Sequence, residues 1–255
     1  MSENAVIEVR NLTMKYGHRV IQQDLTFSIH KGDVFIIMGG SGCGKSTLLR
    51  HLLGLNKPAK GKILFRGEDL WQKGPSARDL IMRRIGVLYQ RGGLWSSMTL
   101  AENIALPLRE YTRYTRREIS ELCELKLSLV GLAGFGNYYP AQISGGMQKR
   151  AGLARAIALD PELLFFDEPS AGLDPVTAKR MDDLILQLQA SLGATLVVVT
   201  HELASIFAIG SNAVFLDSQR RTITAAGPPK TLLATCTDQV VLQFLTRDGS
   251  AQLPA

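Results

Sequence analysis

The chain has 255 residues, 45% hydrophobic and 20% charged, with a formal net charge of +6 and a pI near 9.3. That length can bury a full core as one large domain or two small ones. The basic residues come in scattered pairs such as Arg83-Arg84 and Lys149-Arg150, without the long basic tail that would argue for nucleic acid. The three cysteines, Cys43, Cys123 and Cys236, form no C-x-x-C pair, which argues against a disulfide framework or zinc site and fits a reducing compartment. Met1-Ser-Glu-Asn-Ala5 has no signal-peptide pattern. A spanning helix needs about 20 apolar residues, and no run approaches that, so any membrane role is expected to come through a partner.

Residues 5–30 read as short strands around turns, Lys15-Tyr16-Gly17-His18 being one turn. Val34-Phe-Ile-Ile-Met38 is continuously apolar, as suits a strand buried on both faces of a parallel sheet. A helix is expected over 47–53, then a strand at Lys62-Ile-Leu-Phe65, so that a small antiparallel sheet flanks the core. Ile85-Gly-Val-Leu-Tyr-Gln90 reads as a further strand. Residues 98–158 are rich in Leu, Arg and Glu and predict an inserted helical subdomain at about 95–160, with Ile119, Leu122, Leu125 and Leu129 as one helix stripe. A helix is expected over 148–159. Leu163-Leu-Phe-Phe166, Leu196-Val-Val-Val199 and Val214-Phe-Leu216 are buried strands. A helix lies between the first two, with Pro175 at its start, Met181, Leu184, Ile185, Leu188 and Leu192 at helical spacing, and Gly193 at its end. Strand and helix alternate, so the fold is expected to be α/β. The main domain runs over 1–225, and 226–255 is a short C-terminal extension.

Gly39-Gly40-Ser41-Gly42-Cys43-Gly44-Lys45-Ser46, followed by Thr47, matches G-x-x-x-x-G-K-[ST] between a strand and a helix. Glycines let backbone N–H groups turn toward phosphates, and the helix N-terminus adds positive potential. Lys45 is expected on the β- and γ-phosphates and the Ser46 hydroxyl on Mg²⁺. Asp167-Glu168 emerges at the end of an apolar strand, where ligands of such sheets bind. Asp167 can hold Mg²⁺ through water, and Glu168 can polarise an attacking water. Alone, the pair also reads as a surface turn before Pro169. Gln90 and His201 close their own strand runs, and each alone is equally a solvated strand end. Together with Lys45 and Glu168 they form a plausible constellation for a catalytic site. Ser144-Gly145-Gly146 precedes a helix, either as a second phosphate-ready N-terminus or as a simple serine cap.

The ordered set resembles the ATP-binding-cassette (ABC) family over residues 5–225. Residues 39–46 match its Walker A, Gln90 its Q-loop, Ser144-Gly-Gly-Met147 its signature, and Leu163–Asp167 its Walker B followed by Glu168. Ser170-Ala-Gly-Leu-Asp174 matches the D-loop, His201 the switch histidine and Tyr16 the aromatic that stacks on adenine. The signature departs from L-S-G-G-Q at Ile143 and Met147. The fold so implied is a P-loop NTPase core with a parallel sheet, a small antiparallel β subdomain and an inserted helical subdomain. The resemblance implies ATP and Mg²⁺ as cofactors, with Ser46, Gln90 and Asp167 at the metal. It also implies a head-to-tail homodimer in which Ser144, Gly145, Gly146 and Asp174 meet the ATP of the other subunit. A finer resemblance is to ATPases of Mce/Mla-type lipid transporters. It is carried by Ser144-Gly-Gly-Met-Gln-Lys-Arg150, Gly172-Leu-Asp-Pro-Val-Thr177, Pro107-Leu-Arg-Glu110 and Gln243-Phe-Leu-Thr-Arg-Asp-Gly249. It implies phospholipid transport through an integral membrane permease, with an Mce-domain lipid-binding protein and a STAS-domain protein as further partners. The chain would then sit on the cytoplasmic face of the inner membrane, with no nucleic-acid partner. The alternatives are the ATPase of a polar-solute importer, such as one for amino acids, and a non-transport cassette. Leu94, Trp95 and Met98, just past Gln90, are candidate permease contacts or part of the helical core.

Overall fold

The computed structural model describes residues 5–72 and 74–247. The first four residues of the N-terminal stretch, and Asp248-Gly249 of the run that begins at Gln243, lie outside the described residues. The chain divides into two compact units, Met1–Arg78 with Val197–Ala255, and Asp79–Leu196.

The first unit opens with β1 (Ala5–Tyr16) and β2 (Arg19–His30), an antiparallel hairpin turning at Gly17-His18. The short strands expected here are two strands of 12 residues each. Irregularities near Asn11 (φ 48°) and Asp24 (φ 55°) break the register, so the in-out alternation is lost midway, as at a β-bulge. All five residues of β3 (Val34–Met38) are buried, as their unbroken apolar run requires. Next comes α1 (Lys45–Leu52), which starts two residues before the expected 47–53. Its N-cap is Gly44, left-handed at φ 105°, so the loop passes directly into helix at Lys45. β4 (Lys60–Phe65) and β5 (Glu68–Asp69) complete an antiparallel sheet of order β2-β1-β4-β5, and α2 (Pro75–Met82) follows.

The second unit holds β6 (Ile85–Leu88), α3 (Leu100–Tyr111), α4 (Arg116–Leu129), α5 (Gly145–Ala156), β7 (Leu163–Asp167) and α6 (Pro175–Leu192). β6 and β7 pair in parallel, Ile85 opposite Leu163 and Leu88 opposite Phe166. Thr99 and Thr115 start α3 and α4 with reciprocal capping boxes to Glu102 and Glu118. The expected α4 stripe is corrected. Leu125 and Leu129 are 53% and 43% exposed, whereas Ile119, Cys123 and Leu127 are buried. Steps of four residues keep one helical face, while the steps of three from Ile119 through Leu122 to Leu125 drift off it. The helix expected over 148–159 begins three residues earlier, because the signature glycines are already helical. α6 begins at Pro175 and is closed by left-handed Gly193, as its sequence predicts.

The chain re-enters the first unit through β8 (Thr195–Val199), followed by α7 (Leu203–Ile209), β9 (Asn212–Asp217), β10 (Thr222–Gly227), α8 (Pro229–Thr235) and α9 (Gln239–Thr246). β9 runs parallel to β3, Ile36 opposite Ala213, and antiparallel to β10. Phe244 of α9 meets Phe215 of β9 edge-on at 5.2 Å. The α/β class, with parallel pairing and a small antiparallel sheet, is as the sequence predicts.

Candidate functional site

In the first unit, residues 39–44 form a loop from β3 into α1. Gly39 has φ 147°, and a Cβ there would lie 2.5 Å from Leu216 O, so no other residue fits. Lys45 is buried, and its Nζ donates to Gly39 O at 2.9 Å and Gly40 O at 3.0 Å. The ammonium thus closes its own loop, held by neutral acceptors that an anion can replace. The Gln22 amide, fully buried on β2, donates to Cys43 O at 2.7 Å and Asp217 O at 2.9 Å, pinning the loop. Burial pushes the Cys43 thiol pKa up, partly offset by the nearby Lys45 charge. Gly40, Ser41 and Gly42 are exposed, as is Ser46, and Thr47 is half-buried.

Tyr16 ends β1 with its ring 48% exposed. Its hydroxyl accepts from Asn56 Nδ2 at 3.5 Å, and hydrogen bonding from Thr47 holds its pKa below the usual phenol value. The hydroxyl is tethered near α1 while the ring stays open. His201 lies two residues past β8, exposed, with Nε2 3.8 Å from the Glu202 carboxylate.

In the second unit, β6 ends at Leu88, so Gln90 lies beyond the strand and is exposed. The turn that carries it rests on α5. A Cβ at Gly92 would meet Gln148 O at 2.8 Å, and Arg155 Nη1 donates to Gly93 O at 2.6 Å. Buried Asn103 staples the next loop, accepting from Trp95 N at 2.7 Å and donating to Trp95 O, Met98 O and Thr99 O. Trp95 is therefore presented outward at 58% exposure, while Leu94 and Met98 are half-buried.

Asp167 is the last residue of β7, and Glu168 follows it, buried and left-handed at φ 52°. That conformation costs a residue with a Cβ about 1–2 kcal/mol, and such strain persists only where surrounding structure enforces it. Two contacts hold it: Ala171 N donates to Glu168 O at 3.3 Å, and Lys149 of α5, also buried, donates from Nζ to Glu168 O at 3.3 Å, Pro169 O at 2.9 Å and Ala171 O at 2.5 Å. Desolvation lowers the Lys149 pKa, and the Glu168 charge opposes the shift.

Ser144 caps α5, accepting from Met147 N at 3.3 Å, while Gln148 Nε2 donates to Pro140 O and Ile143 O and fixes the approach to it. Open space lies where a Cβ of Gly145 would be. Asp174 caps α6, accepting from Val176 N and Thr177 N, each at 3.1 Å, and hydrogen bonding from Thr177 keeps its pKa low.

The expected site residues thus divide between the units. Tyr16, residues 39–47 and His201 belong to the first, and Gln90, Ser144–Gly146, Asp167, Glu168 and Asp174 to the second. The candidate metal donors are oxygens: the Ser46 hydroxyl, the Gln90 amide and the Asp167 carboxylate. Among the described residues no three His, Cys, Asp or Glu side chains converge as a metal cluster. A hydroxyl, an amide and a carboxylate are oxygen donors of the kind Mg²⁺ takes beside water and substrate phosphate. Sequence reasoning missed Gln22, Asn103 and Lys149. An Asn, Gln or Lys inside an otherwise apolar packing pattern was the available signal.

The ABC transporter family profile matches residues 22–171. The chain is 40% identical to the intermembrane phospholipid transport ATP-binding protein MlaF of Haemophilus influenzae, over 96% of this chain and 91% of that one. It is 38% identical to MlaF of Escherichia coli K12, over 98% and 91%. It is 42% identical to the probable ribonucleotide transport ATP-binding protein mkl of Mycobacterium leprae, over 96% of this chain and 70% of that one. The chain spans 66% of the Mycobacterium tuberculosis counterpart, somewhat under two thirds of its length. A dimeric ATP-binding cassette in a post-hydrolysis state bound to ADP and Pi superposes with TM-score 0.78 at 29% identity, covering 86% of this chain and 97% of that one. With the phosphate loop, the Asp-Glu strand end and the capped signature helix in place, the chain belongs to the ABC transporter family, as an ATP-binding and ATP-hydrolysing cassette.

Proposed function

We propose that this chain powers phospholipid transport through a partner permease, working as a head-to-tail homodimer on the cytoplasmic face of the inner membrane. The observation that carries the reading is the near full-length match to MlaF of two bacteria, with both chains covered by 91% or more. Nucleotide binding draws Lys45 from Gly39 O and Gly40 O onto the β- and γ-phosphates, while Gly40 to Gly44, Ser46 and Thr47 line the phosphates. The Tyr16 ring stacks on adenine. Ser46, Asp167 and Gln90 hold Mg²⁺, which when bound neutralises phosphate charge. Glu168 takes a proton from the attacking water, and His201 positions that water and the γ-phosphate. Ser144, Gly145, Gly146 and Asp174 face the nucleotide held by the other copy. Positioning and electrostatics supply most of the catalysis in phosphoryl transfer.

The permease contact is a groove of about 500 Å³ in the second unit, lined by Tyr89, Leu106, Pro107, Tyr111 and Leu159 together with charged residues of both signs, Asp79, Glu110, Arg83 and Arg155. Tyr89, Leu106 and Tyr111 are each about 40% exposed, the pattern of an apolar seat for a partner helix. No described helix is long and apolar enough to cross a membrane. An Mce-domain protein and a STAS-domain protein complete the assembly. A second reading, transport of a polar solute, is favoured by the mkl match. Purification of the assembly from native membranes, followed by extraction and mass analysis, separates the two. Co-purifying phospholipid and phospholipid-stimulated ATP hydrolysis are expected. Stimulation by ribonucleotides or another polar solute, with no response to phospholipid, would overturn the lipid assignment.

A further inference from the structure

We propose that Lys149 is a positioning residue that ties the signature helix to the catalytic glutamate of the same chain. Lys149 lies on α5 five residues past Ser144, and its buried ammonium holds the three carbonyls that follow β7, those of Glu168, Pro169 and Ala171. A buried charge with three main-chain acceptors cannot leave them without a large desolvation penalty. Wherever α5 goes, the backbone of Glu168 follows. Its left-handed φ of 52° sets the direction in which the Cα–Cβ bond leaves the main chain, so a shift of these carbonyls re-aims the side chain from its root.

The consequence extends between sites, and this part rests on the head-to-tail arrangement proposed above. Ser144 and Gly146 at the start of α5 meet nucleotide on the second copy, while Lys149 on the same helix sets Glu168 for the nucleotide on its own copy. Closure on one ATP therefore fixes the carboxylate that hydrolyses the other. A rigid helix carries the link, and the two sites fire as a pair.

The test uses the full chain with Lys149→Met and Lys149→Arg. Methionine keeps the stem and removes the donors. Arginine retains charge and several donors. Lys149→Met is expected to lower kcat roughly ten- to a hundredfold, as small misplacement of a catalytic group does, with nucleotide affinity and KM unchanged, since Lys45 and Tyr16 are untouched. It also abolishes positive cooperativity in ATP, and Lys149→Arg restores most of the rate and the cooperativity. Cysteines placed near Ser41 and Ser144, with both serines kept, report the dimer independently of turnover. An ATP-dependent cross-link between chains in both wild type and Lys149→Met, with kcat unchanged, overturns the role of Lys149. So does a folded Lys149→Met protein that loses nucleotide affinity and rate together. No cross-link in the wild type instead removes the head-to-tail reading, leaving the kcat effect to decide the local role.

Discussion

Gly86, in the middle of β6, shows how tightly the strand before Gln90 is packed. A Cβ on this residue would lie 2.1 Å from Ala156 O at the end of α5 and 2.7 Å from Leu164 Cδ2 on β7. The leucine can rotate, but the carbonyl cannot. Real Cβ atoms stay beyond about 3.0 Å from such atoms, so α5 and β6 must part by about 0.9 Å in Gly86→Ala. Overpacking of this kind costs roughly 1–3 kcal/mol, and in a chain of this size each kcal/mol lowers Tm by about 2–4 °C. The expected fall is about 2–12 °C by scanning calorimetry, with a loss of turnover because Gln90 follows four residues on. Gly74→Ala is the control, since open space surrounds its Cβ position. An unchanged Tm in Gly86→Ala would refute the claim that main-chain contact seats β6 on α5.

Tyr16→Ala should weaken nucleotide binding tenfold or more by calorimetric titration, in line with roughly 1–3 kcal/mol for base stacking, while Tyr16→Phe changes it little. Unchanged affinity with a lower Tm would mark Tyr16 as a packing residue. Thr99→Ala and Thr115→Ala should each cost about 1 kcal/mol as lost helix caps, read by chemical denaturation. Hydrogen bonds from the Thr99 and Thr115 backbone amides, then from their side chains, hold the Glu102 and Glu118 pKa values low. The carboxylate half of each cap is therefore fully present above the unfolded carboxylate pKa and is lost as pH falls through the lowered folded value. Glu102→Ala and Glu118→Ala should be less stable than wild type above that range and approach it in acid, and a constant difference down to low pH would contradict the capping role of the carboxylates.

Much of the fold was legible because its signals are local. The unbroken apolar runs at Val34–Met38 and 163–166 are short enough to read as buried strands, and Pro175 with Gly193 marked both ends of α6. The hairpin was read too short because bulges at Asn11 and Asp24 spoil alternation. The α4 stripe failed because leucines at steps of three drift off the buried face, which Ile119, Cys123, Lys126 and Leu127 hold instead, the Lys126 charge met by Asp160 at 2.5 Å. The phosphate loop and the Asp-Glu strand end are contiguous motifs and were visible. Gln22 and Lys149 act on backbone carbonyls distant in sequence and Asn103 on those of its own loop, so a polar residue at a buried position was the one signal and its partners were not legible.

In the proposed cycle two copies close on ATP, and hydrolysis at Glu168 opens them. Glu168→Gln should lower turnover by about 10²–10⁴, the usual cost of losing a general base, while nucleotide binding by Lys45 and Ser46 survives. The direct measurement is the mass in solution of Glu168→Gln with Mg²⁺ and ATP, by light scattering on a sizing column with bound nucleotide quantified. A stable dimer retaining two unhydrolysed ATP molecules is expected, and a monomer with ADP. A Glu168→Gln chain that hydrolyses ATP at the wild-type rate, or stays monomeric with ATP bound, would contradict this cycle.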